Sequence, residues 1–99
     1  IVIADIHGRN FRLGKVGVEV GVAGIPALMD WSGMPDLFDR QLRVTQVGLA
    51  DEIAAAAGLV LGQSNQSTPA VIVRGLGIGE DLDASAIALV RPQDEDLYR

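Results

Sequence analysis

Cysteine is missing from this 99-residue chain, so disulfides and thiolate metal sites are excluded. That absence fits a cytoplasmic protein. Histidine occurs once, at His7, which removes every multi-histidine metal centre. No apolar run approaches the roughly 18 residues needed to cross a bilayer, and no signal-peptide pattern is present. Basic charge is also scarce. The net charge is −5, and Arg9, Arg12 and Lys15 form the only tight cationic cluster. A nucleic-acid binder needs a basic face to neutralise phosphates, so that function class is set aside. Three cations suit one small anion better than a duplex.

Nucleotide and nucleophile signatures are lacking too. The Walker A pattern does not occur, and no serine sits in a G-x-S-x-G elbow. Gly75, Gly77 and Gly79 follow a short apolar run, but the third glycine of a dinucleotide fingerprint would fall on Glu80. Acids at Glu80, Asp81 and Asp83 would repel a pyrophosphate there, so a flexible turn is expected.

What is present is ample apolar content, 48%, enough for a folded domain and against disorder. The length allows one domain at most, residues 1–99. The chain opens on Ile1 within an apolar stretch, which suggests a piece of something longer. Charge is uneven: residues 1–49 carry five basic and five acidic side chains, residues 50–99 three and eight.

The opening Ile-Val-Ile-Ala run reads as a buried strand delivering Asp5 to a sheet rim, with Gly8 turning the backbone. A carboxylate so placed can hold a hard cation beside a phosphate; starting a local turn is the plainer role. His7 could relay a proton, though a turn histidine is more often just exposed. Arg9 and Arg12 then lie in a loop between glycines. Valines at 16, 18, 20 and 22 alternate as one buried face of a strand, leaving Gly17, Glu19 and Gly21 toward solvent or a cavity. The glycines admit close approach of a neighbouring backbone.

Residues 30–39 mix turn formers with Trp31 and Phe38, an ordered loop pinned by aromatics. Asp30, Asp36 and Asp39 do not match EF-hand spacing, so turn and cap roles are expected. Residues 42–45 read as a short strand or a lead-in to the helix, with Thr45 as an N-cap. Helical periodicity spans 46–61, with Val47, Ala50, Ala54, Ala57 and Leu61 on one face. Asp51 and Glu52 suit its start, the small Ala54–Ala57 run invites close packing, and Gly62 ends it. A polar loop follows, then a buried strand at 70–74, a weak helix at 83–90 and an acidic tail. The fold class expected is α+β: a mixed short-stranded sheet with one dominant amphipathic helix.

The loop of Leu61, Gly62, Gln63, Ser64, Asn65, Gln66, Ser67 and Thr68 gathers amide and hydroxyl groups at a helix end. Such groups are hard oxygen ligands or donors, and the negative end of the helix dipole suits a cation better than a phosphate. By spacing alone a plain polar loop is the more common case.

Several blocks in one order carry a further signal: Ala4-Asp-Ile-His-Gly-Arg9 with Phe11-Arg12, Val20-Gly-Val-Ala-Gly-Ile25, Asp30-Trp-Ser-Gly33, and Asp36-Leu-Phe. Leu42-Arg-Val-Thr45, Ala50-Asp-Glu-Ile-Ala-Ala-Ala-Ala57, Leu61-Gly62, Val73-Arg-Gly-Leu76, Arg91-Pro and Asp96-Leu-Tyr-Arg99 continue it. In these the chain resembles the coenzyme F-420:L-glutamate ligases, corresponding to their C-terminal part. The resemblance implies GTP-dependent addition of L-glutamate to a deazaflavin coenzyme precursor through an acyl-phosphate. It implies a magnesium or manganese ion, admits a monovalent cation, and points to a homodimer with no nucleic-acid or membrane partner.

By the same resemblance Asp5 ligates a metal, Gln63 supplies a further ligand, and Leu61 to Thr68 contact GTP. The neighbouring threonine of the family, a ligand of a second metal, falls on Ile6, which has no side-chain oxygen. Backbone or water would have to substitute. Glu19 stands where the family usually has a small residue, and Asp39 where glycine is usual. An upstream metal-binding aspartate and nucleotide-binding residues lie outside this sequence, so the piece alone is expected to be inactive. The alternative is a non-catalytic module that keeps the fold and binds a metabolite or partner.

Overall fold

A computed structural model describes residues 1–98. Strand β1 (Val2–Arg9) pairs antiparallel with β2 (Arg12–Val22), and the two-residue strand β3 (Met29–Asp30) pairs antiparallel with β4 (Gln46–Val47). Helix α1 (Leu49–Leu61) follows, and short 3-10 turns occupy Ala86–Leu89 and Gln93–Glu95. The class is α+β as expected, although both sheets are two-stranded and antiparallel rather than mixed.

β1 does not stop at Asp5. It runs on through His7 and Gly8 to Arg9, and the chain reverses at Asn10 and Phe11. The turn expected at Gly8 therefore lies beyond it, with Phe11 supplying the left-handed backbone at φ 61°. Asp5 sits mid-strand, and Arg9 and Arg12 are paired strand residues instead of loop residues.

The face prediction for β2 is also corrected. Ile3 pairs with Gly21 but Ala4 with Glu19, so Val20 is an extra, bulged residue and the two-residue alternation breaks there. Glu19 is buried at 9% exposure, whereas Val20 is 57% exposed. The surface holding Gly17 and Glu19 meets α1 rather than solvent, and Gly17 borders a cavity, the other alternative expected there. A Cβ on Gly17 would lie 2.7 Å from the Ala54 carbonyl oxygen, a separation no real side chain tolerates. Gly17 against the alanine run is thus the close approach both stretches suggested.

α1 begins at Leu49 rather than at 46, because residues 46 and 47 are taken up by β4. Gly48, not Thr45, is the N-cap, and Thr45 instead donates its N–H to Ser32 Oγ at 3.1 Å. Ala50 and Ala54 are fully buried on the predicted face. Gly62 closes the helix at φ 68°, its N–H reaching Gly58 O at 3.3 Å. Residues 30–45 form a hydrogen-bonded loop without a strand at 42–45. Its acids do turn work: Asp30 Oδ1 accepts from Ser32 N–H and Asp36 Oδ1 from Phe38 and Arg40 N–H. The Ser32 contacts hold the Asp30 carboxyl below its usual pKa. Phe38 pins nothing; it is exposed, with Arg40 over its ring at 5.3 Å.

Two expected elements are not formed. Residues 70–74 run without a strand partner, leaving cavities of about 860 and 470 Å³ between residues 69–79 and the helix. The helix at 83–90 shrinks to the turn Ala86–Leu89, started by Ser85 Oγ accepting from Ile87 N–H. Only Ala27, Ala50 and Ala54 are buried apolar residues among those described.

Candidate functional site

Between the hairpin and the C-terminal end of α1 lies a cavity of about 580 Å³. Ala4, Asp5 and Gly17 line it from the strands, Ala54, Gly58 and Leu61 from the helix, and Gly62, Gln63, Ser64, Ser67, Thr68 and Pro69 from the loop. Asp5 and Gln63, far apart in sequence, thus border one space. Six of the eight loop residues predicted to contact nucleotide line it.

Asn65 and Gln66 do not. Gln66 turns back instead: its Oε1 accepts from Ser64 N–H at 2.8 Å, and its side chain fills the place a Cβ on Gly62 would need. The left-handed Gly62 and Ser67 (φ 57°) bend the loop around that amide, so Gln66 shapes the rim it was predicted to line. Ser67 and Thr68 hydroxyls bond to the Asn65 and Gln66 carbonyls at 3.4 and 3.3 Å.

Among the described residues that line the cavity, Asp5 alone is ionisable. Its Oδ1 accepts the Ile6 N–H at 2.7 Å within β1, a local bond made without the turn expected there. Residues missed from the sequence are small or contribute backbone: Ala4, Gly17, Ala54, Gly58 and Pro69. Their signal was the glycine and alanine spacing, which marked close packing without showing that a gap would open beside it.

The donor set fits a divalent cation that prefers oxygen. A carboxylate, an amide carbonyl and hydroxyls are hard ligands, and magnesium is held by one or two carboxylates with waters and substrate phosphates. α1 points its negative end at the loop, with no basic residue in its last turn to compensate. Among the described residues no three His, Asp or Glu side chains gather to hold a metal. A complete coordination shell therefore needs substrate oxygens, water or further protein.

Above the cavity Asp51, in the first turn of α1, accepts the Glu19 N–H at 2.8 Å and ties helix to hairpin. Glu19 Oε1 is buried without a partner. Burial, and secondarily the Asp51 charge, push the Glu19 carboxyl above its ordinary value.

The α+β frame brings a strand aspartate and an amide-and-hydroxyl loop to the border of one cavity. The F420-0:gamma-glutamyl ligase family model matches residues 1–75, and the chain belongs to that family. It is 47% identical to the coenzyme F420:L-glutamate ligase of Methanothermobacter thermautotrophicus, covering all of this chain and 40% of that protein. The ligases of the same name from Methanocaldococcus jannaschii and Archaeoglobus fulgidus are 44% and 42% identical, again across the whole chain and 39% of theirs. The chain spans about two fifths of the length of these relatives.

Proposed function

We propose that this chain is the C-terminal portion of a GTP-dependent ligase that joins L-glutamate to a deazaflavin coenzyme precursor. The supporting observation is the meeting of Asp5 and Gln63 on one cavity. Family membership and the names of the relatives supply the substrate class.

Asp5 and the Gln63 side-chain carbonyl would hold magnesium or manganese, which when bound neutralises phosphate charge and lowers the barrier to displacement. Ser64, Ser67 and Thr68 border the space where nucleotide oxygens would lie. The GTP γ-phosphoryl passes to the precursor carboxylate and GDP leaves. The glutamate amine then attacks the acyl carbon, an amide forms and phosphate departs. Positioning and charge neutralisation carry most of such a transfer, so a wall of fixed backbone and short polar side chains suits it. Among the described residues no helix is long and apolar enough to cross a membrane.

Manganese titration of the full-length protein with GTP tests the site. Asp5→Asn should weaken metal binding at least tenfold and Gln63→Ala by a smaller factor, while Asn65→Ala leaves it unchanged. Equal affinity in all three variants and the parent would refute the site. The other reading, a non-catalytic metabolite-binding module, draws on the lone carboxylate in the cavity. It requires that no glutamate be incorporated by a protein that still binds metal.

A further inference from the structure

Gln63 lies on an exposed loop. Residues 63–67 are all solvent-exposed, and the Ser67 and Thr68 hydroxyls reach the Asn65 and Gln66 carbonyls at only 3.4 and 3.3 Å. A ligand on such a stretch is useful only if its backbone is held, because freedom lost at the moment of binding subtracts from affinity. Two bonds hold it, one on each side of Gln63. Upstream, the Gly62 N–H reaches Gly58 O at 3.3 Å and ties Gly62, at a positive φ of 68°, to the end of α1. Downstream, Gln66 Oε1 accepts the Ser64 N–H at 2.8 Å. Among the described residues that is the shortest hydrogen bond within 62–68. The Ser64 nitrogen belongs to the same planar peptide as the Gln63 carbonyl carbon, so holding one sets the other. Gly62 and Gln66 also fit each other: the Gln66 side chain lies where a Cβ on residue 62 would stand, so glycine there lets the amide close over the turn.

We propose that Gln66 is a positioning residue for the cation site. From outside the cavity its amide oxygen locks the Gln63–Ser64 peptide and so holds the Gln63 side chain at the cavity wall. Gly62, Gln63 and Ser64 line that cavity while Gln66 does not. This role rests on the proposed site, in which Gln63 is a ligand beside Asp5.

Manganese titration of the full-length protein, with thermal melts of its metal-free form, tests the role. Gln66→Met keeps the bulk over Gly62 and removes the acceptor. It should weaken manganese binding by about three- to fivefold, no further than Gln63→Ala does, with the melting temperature unchanged. Gln66→Glu restores an acceptor and should bind as the parent does at high ionic strength, where its added charge is screened. In a Gln63→Ala background Gln66→Met should cost nothing more, because the group it positions is gone. An equal loss in both backgrounds, in both Gln66 variants, or alongside a lowered melting temperature makes Gln66 merely structural and overturns the role. So does parental affinity in Gln66→Met; where Asp5→Asn still weakens binding, the site itself stands. Parental affinity in Asp5→Asn removes the site and this role together.

Discussion

Glu19 carries the least comfortable charge in the molecule. Its N–H is satisfied by Asp51 while its own Oε1 is buried and unbonded. The surrounding charges are few: its cross-strand neighbour is Ala4, the turn Ala86–Leu89 that packs on β2 has no ionisable group, and α1 offers only Asp51 and Glu52. A carboxyl raised in the folded state favours the protonated form, so its contribution is intact below the unfolded value of 4.5. That contribution is lost as pH climbs through the raised value. Glu19→Gln should therefore melt higher than the parent at pH 7, by about 4–8 °C for each kcal/mol recovered. The two should converge below pH 4.5. Thermal melts across pH check this; a constant difference would place the strain elsewhere. Aspartate at 51 was read from the sequence as a dipole partner for α1, and it is in the first turn. Its second duty, bonding β2, depends on a neighbour that no local pattern reveals.

Between elements, the closest contact is β2 on α1. Gly17 meets the Ala54 carbonyl, which is backbone and cannot swing aside. Gly17→Ala must push the helix away and should cost about 1–3 kcal/mol, seen as a lowered denaturant midpoint. Because Gly17 and Ala54 also wall the cavity, the same change should weaken metal binding. A stable Gly17→Ala protein would mean the helix can shift freely. Gly62→Ala should act differently, disrupting residues 62–66 through its left-handed φ and the Gln66 side chain, and lowering metal affinity more than stability. The helix and its glycine stop were legible because a 3.6-residue period and a glycine at its end are local signals. The strand at 70–74 was misread because a short apolar run is a strand only where a partner offers its edge. The faces of β2 were misassigned because alternation alone does not say which face meets the helix, and the bulge at Val20 ends the period besides.

At the scale of the whole chain, surface exceeds what a self-sufficient domain shows. The accessible area is 8057 Å², against ~5,400 Å² expected for a folded monomer of this mass. The Cα radius of gyration is 15.3 Å, against ~13 Å for 100 residues. Ile3, Val20, Ile72 and Leu59 are all more than half exposed. A two-stranded sheet is marginal alone and presents free edges. We expect the isolated chain to associate, with a sedimentation mass that rises with concentration and strong binding of a hydrophobic dye. A monomeric, dye-silent chain would contradict that.

Composition and short-range spacing by themselves determined the α+β class and the main helix with its end, because each depends on residues within a few positions of one another. Only tertiary structure decided that Asp5 and Gln63 share a cavity, that Gln66 builds its rim, and that Glu19 is buried. Those outcomes turn on how a bulged hairpin lies across a helix, a packing relation between distant segments that no local period encodes.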